Sequence, residues 1–136
     1  MVVGTPRKVI RGIDQEVLEL ILHASRSSHP NEFAGVLRAK EGVISEVVFL
    51  PGTLSSERSA VMRLHMMPID LTACGTVHSH PSPNFEPSGA DLALFRKFGD
   101  VHIIVAFPYD ESSWRAYDRQ GNKVFLEVKE SKTFLE

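Results

Sequence analysis

TACGTVHSHPSPNFEPSGADLALFRKFGDVHIIVAF, residues 72–107, decides how this chain is read. Thr72–His78 predicts a strand that ends at the histidines. Three prolines between Pro81 and Pro87 enforce an irregular loop. Gly89–Phe98 then places Leu92, Phe95 and Phe98 at helical spacing, predicting a second helix with those residues inward. Val101–Phe107 is almost continuously apolar, the pattern of a strand buried on both faces. Strand, loop, helix and buried strand together point to a sheet covered by helices.

The flanking sequence extends that pattern. Lys8–Arg11 predicts a short entry strand. Asp14–Ser27 predicts a helix capped by Asp14, with Glu16 at its positive end. Its inward stripe is Ile13, Val17, Leu20, Ile21 and Ala24. Pro30 ends it, because the residue before a proline avoids helical backbone. Glu32–Arg38 and Val43–Leu50 predict a hairpin turning at Glu41-Gly42 and stopped by Pro51-Gly52. Thr53–Asp70 is mixed in character and predicts a strand around Ala60–His65. Trp114–Tyr117 and Val124–Val128 predict a terminal hairpin around Arg119–Asn122. The order β-α-β-β-β-β-α-β-β-β points to one domain over residues 1–136, a mixed sheet flanked by helices of the α/β or α+β class, with α/β the expectation.

HSHPSPNFEPSGAD, residues 78–91, carries the chemistry. Side chains two apart on a strand face the same way, so His78 and His80 can point at one ion while Ser79 faces elsewhere. Asp91 lies in the first turn of the following helix and can close the site. Two imidazoles and one carboxylate suit zinc, whereas magnesium and calcium prefer oxygen shells. Iron(II) accepts the same set. Three protein ligands leave a fourth position open, which separates a catalytic zinc site from a structural one. The competing reading makes Ser88 an N-cap and Asp91 an acidic first-turn residue, with no metal. Both readings can hold at once.

Zinc hydrolysis also needs a base. Glu32 is the candidate, after Pro30 and ahead of an apolar strand, although a glutamate at a strand start is commonly solvated. His102 falls in a predicted buried strand and reads as a core or supporting residue. His65 reads as structural, and His23 and His29 as surface residues. Cys74 reads as a small buried hydrophobe. Met62, Met66 and Met67 read as core, with Leu54–Met67 as a candidate wall of a substrate groove.

Composition narrows the field. With 43% hydrophobic and 24% charged residues, the chain is an ordinary globular type that can build a core. A net charge of -2 without a basic stripe argues against nucleic acid. No apolar run reaches membrane-spanning length, and the first residues lack the layout of a signal peptide. One cysteine excludes an internal disulfide. A cytoplasmic location is expected.

His78, His80, Ser88 and Asp91 form an H-x-H-x7-S-x-x-D motif. Pro30, Glu32, Gly35 and Leu37 form an upstream P-x-E-x-x-G-x-L context. Together they resemble the JAMM (MPN-plus) metalloprotease family over about residues 8–128. The resemblance implies a cytidine-deaminase-like (JAB/MPN) fold and one Zn2+ per chain. It implies an isopeptidase or peptidase that cuts after the C-terminal tail of a ubiquitin-like protein. On that reading His78, His80 and Asp91 hold the metal, Glu32 is the base and Ser88 stabilises the oxyanion. The short chain leaves little room for the insertions of large eukaryotic deubiquitinases. A compact archaeal or bacterial member is implied, acting on a ubiquitin-like modifier or sulfur carrier. The alternatives are a processing peptidase for a sulfur-carrier precursor and a metal-free MPN-like scaffold. A nucleobase deaminase fits poorly, because the P-C-x-x-C ligand pattern is missing.

Overall fold

Asp14 accepts the Glu16 N–H at 2.9 Å and caps the first helix. From there the computed structural model describes residues 9–50, 57–67 and 72–130. The elements are β1 (Gly12–Asp14), α1 (Gln15–Ser28), β2 (Ala34–Lys40), β3 (Val43–Phe49), α2 (Glu57–His65) and β4 (Gly75–His80). They continue with α3 (Gly89–Lys97), β5 (Val101–Ala106), β6 (Trp114–Tyr117), β7 (Lys123–Val124) and β8 (Glu127–Lys129).

All eight strands join one mixed sheet in the order β7-β6-β5-β4-β2-β3-β1-β8. β4 and β5 run parallel through the α3 crossover, and β2 is antiparallel to both β3 and β4. The β2–β3 turn uses Glu41 and Gly42 at φ 55° and 81°, the doubly positive backbone of a two-residue hairpin. β7 and β8 lie at opposite ends of the strand order, yet only Phe125 and Leu126 separate them. Three Cα steps span at most about 11 Å. The sheet therefore curls until its two edges nearly meet.

That curl creates an inside and an outside. On the inside, α1 buries Val17, Leu18, Ile21 and Leu22 against Leu37, Ile44, Val77, Ile103, Val105 and Leu126. On the outside, α2 and α3 bury Ala60, Val61, Leu64, Leu94 and Phe95 against Ala34, Val36, Ile104 and Tyr117. Strand alternation divides β5 between the two cores, which is why its sequence is apolar at nearly every position. A Cβ on Gly75 would overlap the Val101 carbonyl, so the β4–β5 approach requires glycine there. Among the described residues, no helix is long and apolar enough to cross a membrane.

Several expectations are corrected. The entry strand is Gly12–Asp14 rather than Lys8–Arg11, because pairing with β3 and β8 fixes it there. Lys8 lies outside the described residues. Leu20 is 51% exposed, and Leu18 and Leu22 are buried instead. At about 100° per residue, the buried arc runs from Val17 to Leu22, and Leu20 falls beyond its edge. The expected strand at Ala60–His65 is helix α2. Its buried Ala60, Val61 and Leu64 follow a helical stripe. Met62 and Met66 are exposed rather than core, while Met67 packs on the outer core. Residues 51–56 and 68–71, including part of the expected groove wall, lie outside the described residues. Leu94 joins Phe95 as the deepest contact of α3, and Leu92 and Phe98 pack at the margin. The expected terminal hairpin divides: β7 pairs with β6, but β8 crosses to β1.

Candidate metal centre

β4 carries both histidines. Its strand is longer than expected toward the C-terminus and includes His80. His78 and His80 are 0% and 3% exposed and occupy the outer face, opposite Val77. α3 brings the third residue. Ser88 is its N-cap, and Ser88 Oγ accepts the Asp91 N–H at 3.1 Å. In return Asp91 Oδ2 accepts the Ser88 N–H at 2.9 Å. This capping box clamps the carboxylate in one orientation. The capping role expected for Ser88-x-x-Asp91 is thus present, and it aims Asp91 at the histidines.

The three donors form a tight triangle. His78 Nε2 lies 3.0 Å from Asp91 Oδ1, His80 Nε2 lies 3.4 Å from Asp91 Oδ2, and the two Nε2 atoms are 3.2 Å apart. Ligands about 2.0–2.1 Å from a tetrahedral zinc lie about 3.3–3.4 Å from each other. His80 Nδ1 lies 2.8 Å from the Asn84 carbonyl. With the proton on Nδ1, that contact is a donated hydrogen bond and Nε2 keeps its lone pair for a metal. Asp91 Oδ1 is buried and takes no hydrogen bond. A lone cation at the centre would satisfy it. Burial works against the Asp91 charge, but the two histidines and the Ser88 amide outweigh it and hold the carboxyl well below the usual carboxylate range. The three residues can hold one metal ion, and their chemistry suits zinc.

Sheet register brings in Glu32. Ala34 pairs with His78. One step on, Ser79 N–H donates to the Phe33 carbonyl at 3.0 Å. The same register sets Glu32 opposite His80, and directly opposed residues share a face. Glu32 is 2% exposed, so it is not solvated as a glutamate before a strand commonly is. Its charge is felt at Tyr109: burial raises that phenol, and Glu32 raises it further. Tyr109 Oη lies 2.7 Å from His29 Nδ1, and the His29 ring lies 5.0 Å from Phe107. Sequence reasoning missed this His29–Tyr109 pair, for the residues are eighty apart and carry no shared motif.

The supporting residues are equally specific. Tyr117 Oη donates to the Phe85 carbonyl at 2.7 Å, and Arg115 lies over the Phe85 ring at 4.4 Å. These contacts anchor the loop that presents Asn84 to His80. His102, expected in the core, is fully buried. Its Nδ1 lies 2.7 Å from Thr76 Oγ1, its Nε2 3.1 Å from the Phe95 carbonyl, and its ring stacks on Phe95. Burial pushes its pKa down to about 4. Cys74, partly buried, packs against the inner core, and burial pushes its thiol up to about 12. His23 and His29 are exposed, as expected. His65 ends α2 beside Phe98, away from the triangle.

Comparison with known proteins agrees with this geometry. Residues 14–117 match the family model for prokaryotic homologs of the JAB domain. A probable metalloprotease of Haloferax volcanii is 39% identical over 132 residues, covering 90% of this chain and 81% of the relative. A solved structure described as a JAMM metalloprotease-like zinc site in the proteasome and signalosome superposes with a TM-score of 0.72. It is 41% identical, covering 89% of this chain and 99% of that one. A JAB1/MPN domain protein from Archaeoglobus fulgidus gives 0.71 at 44% identity, covering 86% and 97%. The curled sheet, the histidine pair with its helix-borne aspartate, and these matches agree: the chain belongs to the JAMM (JAB1/MPN) family, among the prokaryotic homologs of the JAB domain.

Proposed function

We propose that this protein is a zinc metalloprotease that cleaves the amide bond after the C-terminal tail of a ubiquitin-like protein. The observation that carries the reading is the buried triangle of His78, His80 and Asp91, with Glu32 set across the sheet from His80. A scaffold would gain nothing from burying two imidazoles and a carboxylate at ligand spacing. The two relatives described as metalloprotease or metalloprotease-like support the same class.

In this mechanism His78, His80 and Asp91 hold the ion. Bound zinc supplies Lewis acidity that polarises a carbonyl and acidifies water at neutral pH. Glu32 takes the proton from the attacking water and returns it to the leaving amine. Ser88 keeps its O–H proton while its oxygen accepts the Asp91 N–H, so the hydroxyl can donate to a developing oxyanion. Asn84 fixes His80 and the capping box fixes Asp91, and neither need move during turnover.

The test is incubation of zinc-loaded protein with isopeptide conjugates and linear fusions of a ubiquitin-like protein. Glu32→Gln serves as control, since loss of a general base costs about 10²–10⁴ in rate. Cleavage of both substrates next to the tail, abolished by Glu32→Gln with zinc retained, is the expected result. Cleavage of the fusion alone favours the processing peptidase. No cleavage of either by a zinc-loaded protein refutes the proposal.

A further inference from the structure

Ser79 lies between the two histidines and takes no part in the triangle. It is 0% exposed and sits on the inner face of β4. Its backbone N–H donates to the Phe33 carbonyl at 3.0 Å. Its hydroxyl accepts the Phe33 N–H at 2.9 Å. Phe33 precedes the first residue of β2, so a serine side chain closes this pair where the ladder begins. The Phe33 N–H belongs to the peptide plane that joins Phe33 to Glu32. Holding that N–H fixes the backbone from which the Glu32 side chain projects.

We propose that Ser79 is a positioning residue: its hydroxyl locks the Glu32–Phe33 peptide against the strand that carries His78 and His80. This inference rests on the role proposed above for Glu32. One side chain thereby couples the base to the ligand strand from behind the sheet. Alanine at 79 would leave a buried N–H without its acceptor, and the segment would shift to find another. His78 and His80 project from the opposite face, and His80 and Asp91 keep their own supports at Asn84 and Ser88.

The experiment compares Ser79→Ala and Ser79→Thr with the unchanged chain. In metal-free protein, amide hydrogen exchange at Phe33 should accelerate at least about tenfold in Ser79→Ala, and threonine should restore protection. Zinc titration should be unchanged in both variants. With a cleavable substrate, kcat should fall about 10–100-fold in Ser79→Ala at constant KM, the scale of a small misplacement of a catalytic group. Threonine should recover it. In a Glu32→Gln background, Ser79→Ala should cost nothing further. Unchanged Phe33 exchange overturns the inference. So does an equal loss of kcat with and without Glu32, or a loss of zinc. Absence of cleavage by the unchanged protein would refute the proposed function instead. Phe33 exchange alone would then decide whether Ser79 holds this peptide.

Discussion

Asp91→Asn separates the two tasks of one buried carboxylate. Its Oδ2 accepts the Ser88 N–H, while Oδ1 faces His78 Nε2 at 3.0 Å. Asparagine keeps an acceptor for the cap but loses the charge that a metal needs. Four-ligand zinc sites gain about 10–16 kcal/mol, or about 2.5–4 kcal/mol per ligand. Losing one anionic ligand should therefore weaken zinc about 10²–10³-fold. The assay is thermal unfolding at free zinc set to about one hundred times the dissociation constant of the unchanged chain. Binding then stabilises that protein by about 2.7 kcal/mol. For 136 residues, an unfolding entropy of about 0.29 kcal/mol/K turns this into a rise of about 9 °C in Tm. The variant should gain about 0.4 kcal/mol or less, a shift of about 1 °C. Without zinc it should melt within a few degrees of the unchanged protein, because the cap survives. A full zinc-dependent shift in Asp91→Asn would refute Asp91 as a ligand.

Other consequences are open to measurement. His102 is held at about 4, below the value of about 6.5 it takes when unfolded. The unfolded chain therefore binds the extra proton, and stability falls as pH drops from about 6.5 toward 4. Between pH 7 and 5 the loss should be about 2 kcal/mol. Urea unfolding of the metal-free protein should show it, and His102→Gln should lose that part of the slope. Tyr117→Phe removes the bond to the Phe85 carbonyl and loosens the loop behind His80. Zinc affinity should fall by up to about tenfold, measurable by chelator competition, and unchanged affinity would show that the loop needs no such anchor. Gly75→Ala drives a methyl into the Val101 carbonyl. It should abolish soluble, cooperatively folding protein, and a variant with normal thermal unfolding would contradict the close β4–β5 approach.

The elements nearest the motif were the most legible. The histidine pair, the proline loop, the α3 cap and the buried β5 all follow from local rules of period, turn and cap. α2 was not legible, because Ala60, Val61 and Leu64 make too short an apolar set to separate helix from strand. The split between β7 and β8 was equally hidden, since two residues can turn a hairpin or step between the edges of a curled sheet. Glu32 was selected on its sequence context, but nothing local could bury it.

By itself the sequence determined which residues are the candidates for the site: alternation turned His78 and His80 to one face, and capping placed Asp91 at a helix start. These are short-range effects, written within a few residues of each side chain. Only the tertiary structure decided that the groups meet. β2 pairing with β4 sets Glu32 across from His80, and Ser79 ties that junction from the inner face. α3 packing over the outer face brings Asp91 to the histidines. Register and packing depend on the whole curled sheet, so partners nearly fifty residues apart cannot be read from either segment alone.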